Sequence, residues 1–251
     1  MDPDRVPVRL KHDPIVEALW EIRFSSETPS VSDLLPGLIF QNLKRQYSRI
    51  EKLPVSQLPA PVLQSDPSLR YAPQVRLVGP KYSVQVGNKV VSLSCPAPYS
   101  GWEQFEFHIL ELADALKETQ LLDKIERFSL KYVDFISFDE SPSLDWIRFD
   151  LKLGARSLSN NPIQLRTEIR ERDLLKIVQV VNPANVRMEK GEKKSVSKSG
   201  LLVDIDTIDD KSSSDFWTEF PSRLKHVHDE GKKLFFEILS PSTRERLGPE
   251  Y

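Results

Sequence analysis

The sequence has a single cysteine, Cys95, in 251 residues. It can form no internal disulfide and cannot build a Cys-rich zinc site. Glycine is sparse too, with nine residues, and none forms a Gly-rich phosphate loop. No apolar run approaches the ~20 residues that a membrane helix needs. The opening MDPDRVPVRL lacks the apolar stretch of a signal peptide. Neither sign of charge dominates: 35 Lys and Arg stand against 37 Asp and Glu, for a net charge of -2. That balance removes a global field toward nucleic acid or an anionic membrane, and leaves only local patches. These absences predict a soluble, cytoplasmic protein with no membrane segment.

What is present suffices for a real core: 39% of residues are hydrophobic and 29% charged. The length corresponds to roughly 1.7 average domains. The 19 prolines outnumber the glycines and fall mostly between periodic segments, where they act as stops. Val16 to Phe24 reads as a strand, with Trp20, Ile22 and Phe24 alternating against Glu21 and Arg23. Leu34, Leu35, Leu38, Ile39 and Leu43 have helical spacing after Ser30 to Ser32. A Pro-rich excursion covers Pro54 to Pro73. Strands are then predicted at Gln74 to Val78, Tyr82 to Val86 and Val90 to Cys95, the last two joined by Gly87-Asn88-Lys89. Trp102 to Glu118 is an amphipathic helix with its stripe on Phe105, Ile109, Leu112, Ala113 and Leu116.

The second half follows a similar plan. Strands are predicted at Phe128 to Phe138, Trp146 to Leu153, Leu165 to Glu171, Leu174 to Val181 and Leu201 to Ile208, with a tight turn at Arg172-Asp173. A long helix runs from Asp215 to Leu239, open to a bend or break at Pro221 and Gly231, and Pro241 stops it. The expected class is α+β. Two tandem modules, residues 1–122 and 123–251, would each set a long helix on one face of an antiparallel sheet.

Three segments carry a resemblance. Asp13-Pro14-Ile15-Val16-Glu17-Ala18 followed by Glu21-Ile22-Arg23-Phe24 is one; Tyr99, Gly101 and Trp102 form the second. His228, Lys232, Phe235 and Phe236 form the third, and Lys131-Tyr132-Val133-Asp134 adds a fourth short match. Together they resemble a sporadically distributed bacterial family of uncharacterised proteins. The resemblance implies a protein of accessory character, in a mobile or defence-related gene context such as toxin neutralisation, and supplies no catalytic residue. Physically, Gly101 suits a turn that a Cβ resists, and Trp102 would anchor the helix on the sheet. Glu17, in an apolar strand start, would need Arg127 or Lys131 as a partner if buried.

Few residue patterns suggest chemistry. Asp204 and Asp206 are two apart on one strand and so share a face, where they could hold Mg²⁺ with substrate phosphates. Arg166, Glu168 and Arg170 on a neighbouring strand would instead satisfy them as ion pairs. His226 and His228 lie ~200° apart on a helix and cannot share a metal. Cys95 has no partner base and no G-x-S-x-G serine exists. No catalytic residue, metal site or cofactor is therefore assigned. Lys190, Lys193, Lys194 and Lys198, in the loop EKGEKKSVSKSG, are the candidate contacts to nucleic acid or a partner. The long terminal helix carries apolar residues on more than one face, which suggests a second contact. The best-supported expectation is a non-catalytic interaction or regulatory component with a protein partner. A small-molecule or nucleotide pocket between helix and sheet is the alternative, and a metal-dependent hydrolase comes third. If the basic loop binds nucleic acid, removing Lys193 and Lys194 flattens the log-log salt dependence by about 1 to 2 units of slope; a spacer loop leaves it unchanged.

Overall fold

The computed structural model describes residues 6–159, 161–189 and 195–251. Short β1 (Arg9–Leu10) precedes β2 (Ile15–Ser25) and α1 (Val31–Asn42). Next come β3 (Arg49–Lys52), a 3-10 turn (Pro54–Gln57), α2 (Ala60–Ser65), β4 (Val75–Val78), β5 (Ser83–Val86), β6 (Val90–Pro96) and α3 (Trp102–Thr119). β7 (Lys124–Ile136), β8 (Lys152–Leu153), β9 (Arg156–Ser157), β10 (Ile163–Glu171), β11 (Leu174–Glu189) and β12 (Ser195–Asp209) follow. α4 (Phe216–Ile238), α5 (Pro241–Arg246) and β13 (Pro249–Glu250) complete the chain. The main sheet has the hydrogen-bonded order β10-β11-β12-β7-β2-β6-β5-β4-β3, and β1-β13 and β8-β9 are separate pairs. The class is mixed α+β with a large antiparallel sheet. The chain divides into two compact units, each assembled from separated stretches. One comprises Glu17–Leu130 and Ile208–Val227; the other comprises Met1–Val16, Lys131–Thr207 and His228–Tyr251.

In the Glu17–Leu130 unit, strand alternation sorts the side chains. Ala18, Trp20, Ile22 and Phe24 are buried, while Glu21 and Arg23 on the other face are half-buried. Antiparallel register sets Trp20 opposite Leu93, Leu93 opposite Val84 and Val84 opposite Leu77, an apolar row across four strands. α3 buries the stripe read from its sequence: Phe105, Ile109, Leu112, Ala113 and Leu116. The first turns of α4 supply Phe216 and Phe220. The Phe220 ring lies 5.7 Å from Trp20 and 5.2 Å from Phe128. Arg223 then clamps Asp209 with two bonds of 2.8 and 2.6 Å. α1 differs from its expected stripe: Val31, Leu35 and Ile39 are buried, but Leu34 and Leu38 are exposed. Its apolar face is narrower than its leucine content suggests.

In the other unit, Leu144, Trp146, Ile147, Val178, Val180, Leu201, Val203, Ile205, Phe235, Phe236 and Leu239 belong to one core cluster. Trp146 to Leu153 is not a single strand. Leu144–Trp146 is a 3-10 turn, and Ile147 makes an isolated bridge to Leu239. Leu144, Trp146 and Ile147 all enter the core, which successive residues of one flat strand could not do. Gly154, at φ 61, then turns the chain from β8 into β9. α4 is one continuous helix through Pro221 and Gly231. Pro221, the sixth residue of α4, has no N–H for the Trp217 carbonyl, and the helix continues through that one forfeited bond. Gly231 has a packing reason, since a Cβ there would stand 2.8 Å from Thr207 Oγ1. Pro241 stops α4 and also starts α5, whose N-cap Ser240 accepts the Thr243 N–H at 3.3 Å.

Removing the central aromatic contact should be costly. Phe220→Ala is expected to lose about 3–5 kcal/mol of unfolding free energy in a urea titration. Leu34→Ala, on the exposed side of α1, is expected to stay within about 0.5 kcal/mol.

Candidate functional site: polar rows on the sheet

In the Glu17–Leu130 unit, the face of β2 turned away from Trp20 belongs to a polar row that crosses five strands. Register sets Arg76 opposite Gln85, Gln85 opposite Ser92 and Ser92 opposite Glu21. Glu21 then takes Arg23 Nε at 2.7 Å and Arg127 Nη2 at 3.2 Å. A polar row thus crosses β4, β5, β6, β2 and β7. Arg23 also stacks on Tyr71, 4.1 Å from the ring centre, and Tyr71 donates to Glu126 at 3.0 Å. The late part of the Pro-rich excursion therefore folds over this end of the row.

The other unit builds a row of the same design. Arg166 on β10 lies opposite Gln179 on β11. Gln179 Nε2 donates to Asp204 at 3.1 Å, and Lys131 Nζ lies 2.7 Å from the same Asp204 oxygen. Asp204 Oδ2 is therefore engaged by Lys131 and Gln179, not by the predicted Arg166, Glu168 and Arg170, because β11 separates β10 from β12, while Oδ1 is buried without a hydrogen-bond partner among the described residues. Among the described residues no group of three or more His, Cys, Asp or Glu side chains is arranged to hold a metal ion.

Asp134 is the most perturbed carboxyl. It is 3% exposed. Burial holds its carboxyl well above the ordinary carboxylate range, and the charges of Asp13 and Asp204 push it the same way. Lys176 is a second buried charge, with Glu171 at 2.8 Å and Glu230 at 3.1 Å. Burial would lower the Lys176 ammonium, but these two carboxylates outweigh it and the net direction is upward.

A chain of polar groups also surrounds the Tyr99-to-Trp102 segment. The Tyr82 and Ser100 hydroxyls are 2.5 Å apart, and Ser100 Oγ lies 3.7 Å from the Cys95 sulfur. The Tyr82 ring sits 4.3 Å from His108, whose Nδ1 is 3.3 Å from Glu111. Cys95 itself is fully buried. Gly101 has φ 88, and its carbonyl accepts the Phe105 N–H at 3.1 Å to open α3. Trp102 is only half-buried.

Other residues singled out in the sequence have packing roles or lie elsewhere. Glu17 is exposed and accepts from Ser94 Oγ at 2.8 Å, so it needs neither Arg127 nor Lys131. His228 is buried with Nδ1 3.1 Å from the Tyr132 hydroxyl, and Lys232 donates to the Val8 carbonyl at 3.1 Å. Lys198 is exposed on β12. Lys190, Lys193 and Lys194 lie outside the described residues.

A cavity of about 470 Å³ opens at the start of α4, lined by Leu122 to Ile125, Ser212 to Ser214, Phe216 and Trp217. No helix among the described residues is long and apolar enough to cross a membrane. No protein-family model matches the chain, and no curated protein matches it significantly.

The polar rows and the cavity were hidden from the sequence for one reason. Alternation says which residues share a face, but register says which residues meet. Gln85 and Ser92 carry no sign of pairing until β5 and β6 are aligned.

The buried Asp134 fixes a pH dependence. Its proton is held to higher pH in the folded chain than in the unfolded one. Its stabilising contribution is therefore present below the ordinary carboxylate range and is lost as pH rises through its folded value. Asp134→Asn, neutral at every pH, should melt above the wild type near pH 8, with the gap closing toward about pH 4. Melting curves across that range read it, and a gap independent of pH contradicts the assignment.

Proposed function

We propose that the protein is a non-catalytic interaction or regulatory component of a bacterial accessory system, of the kind the resembling family implies, that binds a protein partner. The observation that supports this most is the outward side of α1. Leu34 is 51% and Leu38 39% exposed, one helical turn apart, while Val31, Leu35 and Ile39 secure the helix from its other side. Leu58 and Val62, farther along the same stretch of chain, are exposed as well. The carboxylates of the polar rows, Glu21 and Asp204, are each held by cations of their own row, an arrangement that suits a framework better than a reaction centre.

The same proposal takes residues 1–122 and 123–251 as repeated helix-on-sheet modules. Two parallels support it. Each half runs from a long first strand (β2, β7) through a connecting segment that contains β3 in one case and β8–β9 in the other to three consecutive main-sheet strands (β4–β6, β10–β12) and a long helix. The rows also begin alike on their strands, with Arg76-Gln85 in one half and Arg166-Gln179 in the other, before diverging to Ser92-Glu21 and Asp204-Lys131.

The cavity at Ser212 to Trp217 favours a second reading, a small-molecule binding module. Its volume of about 470 Å³ falls within the usual range of ligand sites.

One set of measurements separates the two. Purification from the encoding organism should yield a stoichiometric complex with a different protein. Leu34→Asp with Leu38→Asp should weaken that complex by about tenfold or more without shifting the melting temperature appreciably. Protein recovered alone, together with a melting temperature raised by several degrees in a metabolite and nucleotide screen, supports the ligand module instead.

A further inference from the structure

β10 ends the main sheet: its only strand partner among the described residues is β11. All nine of its residues are exposed or half-exposed. It contains no proline, and its pairing with β11 runs unbroken from Ile163 to Glu171. A long, regular, open edge of this sort presents unpaired backbone N–H and C=O groups to any complementary strand.

The sequence of β10 defines which strand is complementary. Ile163-Gln-Leu-Arg-Thr-Glu-Ile-Arg-Glu171 is self-complementary about Thr167, with opposite charges at 166 and 168 and apolar residues at 165 and 169. If a second copy runs antiparallel along the edge with Thr167 opposite Thr167, Arg166 meets the second copy's Glu168, and Glu168 meets its Arg166. Leu165 and Ile169 pair in the same reciprocal way, and Gln164 lies opposite Arg170. Ile163 opposite Glu171 closes each end. This alignment uses the whole strand and brings polar face to polar face and core side to core side, since paired positions have the same parity. Neighbouring alignments fail on charge. Centring on Arg166 sets Arg166 against Arg166, and centring on Glu168 sets Glu168 against Glu168 and Arg166 against Arg170. Alignments midway between residues oppose the core-side row to the polar row.

We infer that β10 is a self-association edge, through which two copies of this chain join by antiparallel strand pairing centred on Thr167. The contact is isologous, so every favourable pair occurs twice about the two-fold axis. Arg166 and Glu168, 52% and 50% exposed, lie 2.7 Å apart within the strand; across the two-fold they exchange that pair for two reciprocal ones, which supplies the charge selectivity. This edge is distinct from the α1 surface proposed for a different protein, and it stands without that proposal.

Sedimentation equilibrium on the full chain tests it. The wild type should dimerise. Arg166→Glu sets Glu against Glu168 in both symmetry-related pairs and should raise the dimer dissociation constant at least about tenfold. Combining Arg166→Glu with Glu168→Arg re-creates the opposite-charge pairs in reverse and should restore the dimer. The register has its own readout. Directly opposite antiparallel residues have Cα atoms ~4.5–5.5 Å apart, within disulfide reach. Thr167→Cys should therefore cross-link two copies under mild oxidation, whereas Gln164→Cys, opposite position 170, should not. The native Cys95 is fully buried and does not compete. A wild type that stays monomeric to about 100 μM overturns the inference. An unaffected Arg166→Glu dimer, a charge swap that fails to restore, or cross-linking through position 164 in place of 167 overturns the register and the proposal with it.

Discussion

The contact of Phe220 with Trp20 and Phe128 is the constraint on which the Glu17–Leu130 unit rests. These three side chains are almost fully buried, and their rings meet tilted or edge to face. Such geometry sets the positive ring edge against a negative ring face and adds to the gain from burial alone. It also fixes the helix axially. Arg223 follows Phe220 by three residues, so its position is determined once the ring is seated. From there the guanidinium reaches Asp209 with both nitrogens and lies over Phe128 and Phe216, 5.7 and 5.3 Å from their centres. A buried ion pair is expensive unless its geometry is good, and here two parallel bonds and two aromatic faces meet that condition.

In the polar rows, charge is handled by a different rule. Neither row leaves its central carboxylate alone: Glu21 has two arginines, and Asp204 has a lysine and an amide. Apart from Arg23, which shares β2 with Glu21, each element of a row comes from a different strand, so the row is a record of correct register. A slip of one residue in any strand would carry its member to the core side and strand the remaining charges. The rows thereby act against misalignment, a form of specificity that apolar alternation alone supplies less sharply.

Much of the architecture was legible in the residues, because the strongest periodic signals coincide with the deepest burial. The stripe of α3, the alternation of Trp20, Ile22 and Phe24, and the turn at Arg172-Asp173 all read correctly. The failures have distinct physical causes. Leu34 and Leu38 share the spacing of a buried stripe, yet tertiary packing uses only one side of α1. Trp146 to Leu153 alternates like a strand, yet Leu144, Trp146 and Ile147 reach the core through a turn. Asp204 was correctly seen as needing a cation, but the cation comes from Lys131, some seventy positions away in the chain. Nothing local to Asp204 encodes that partnership; it exists only once β12 lies beside β7.

The division of each compact unit between distant stretches of chain governs the order in which the protein can be completed during synthesis. Residues 17–130 leave the ribosome with Trp20 and Phe128 already in place, but Phe216 and Phe220 are translated some ninety residues later. At ordinary elongation rates of roughly 5–20 residues per second, that interval lasts several seconds. The nascent polypeptide therefore spends this time with an aromatic surface awaiting its cover, a window in which a chaperone has something to hold.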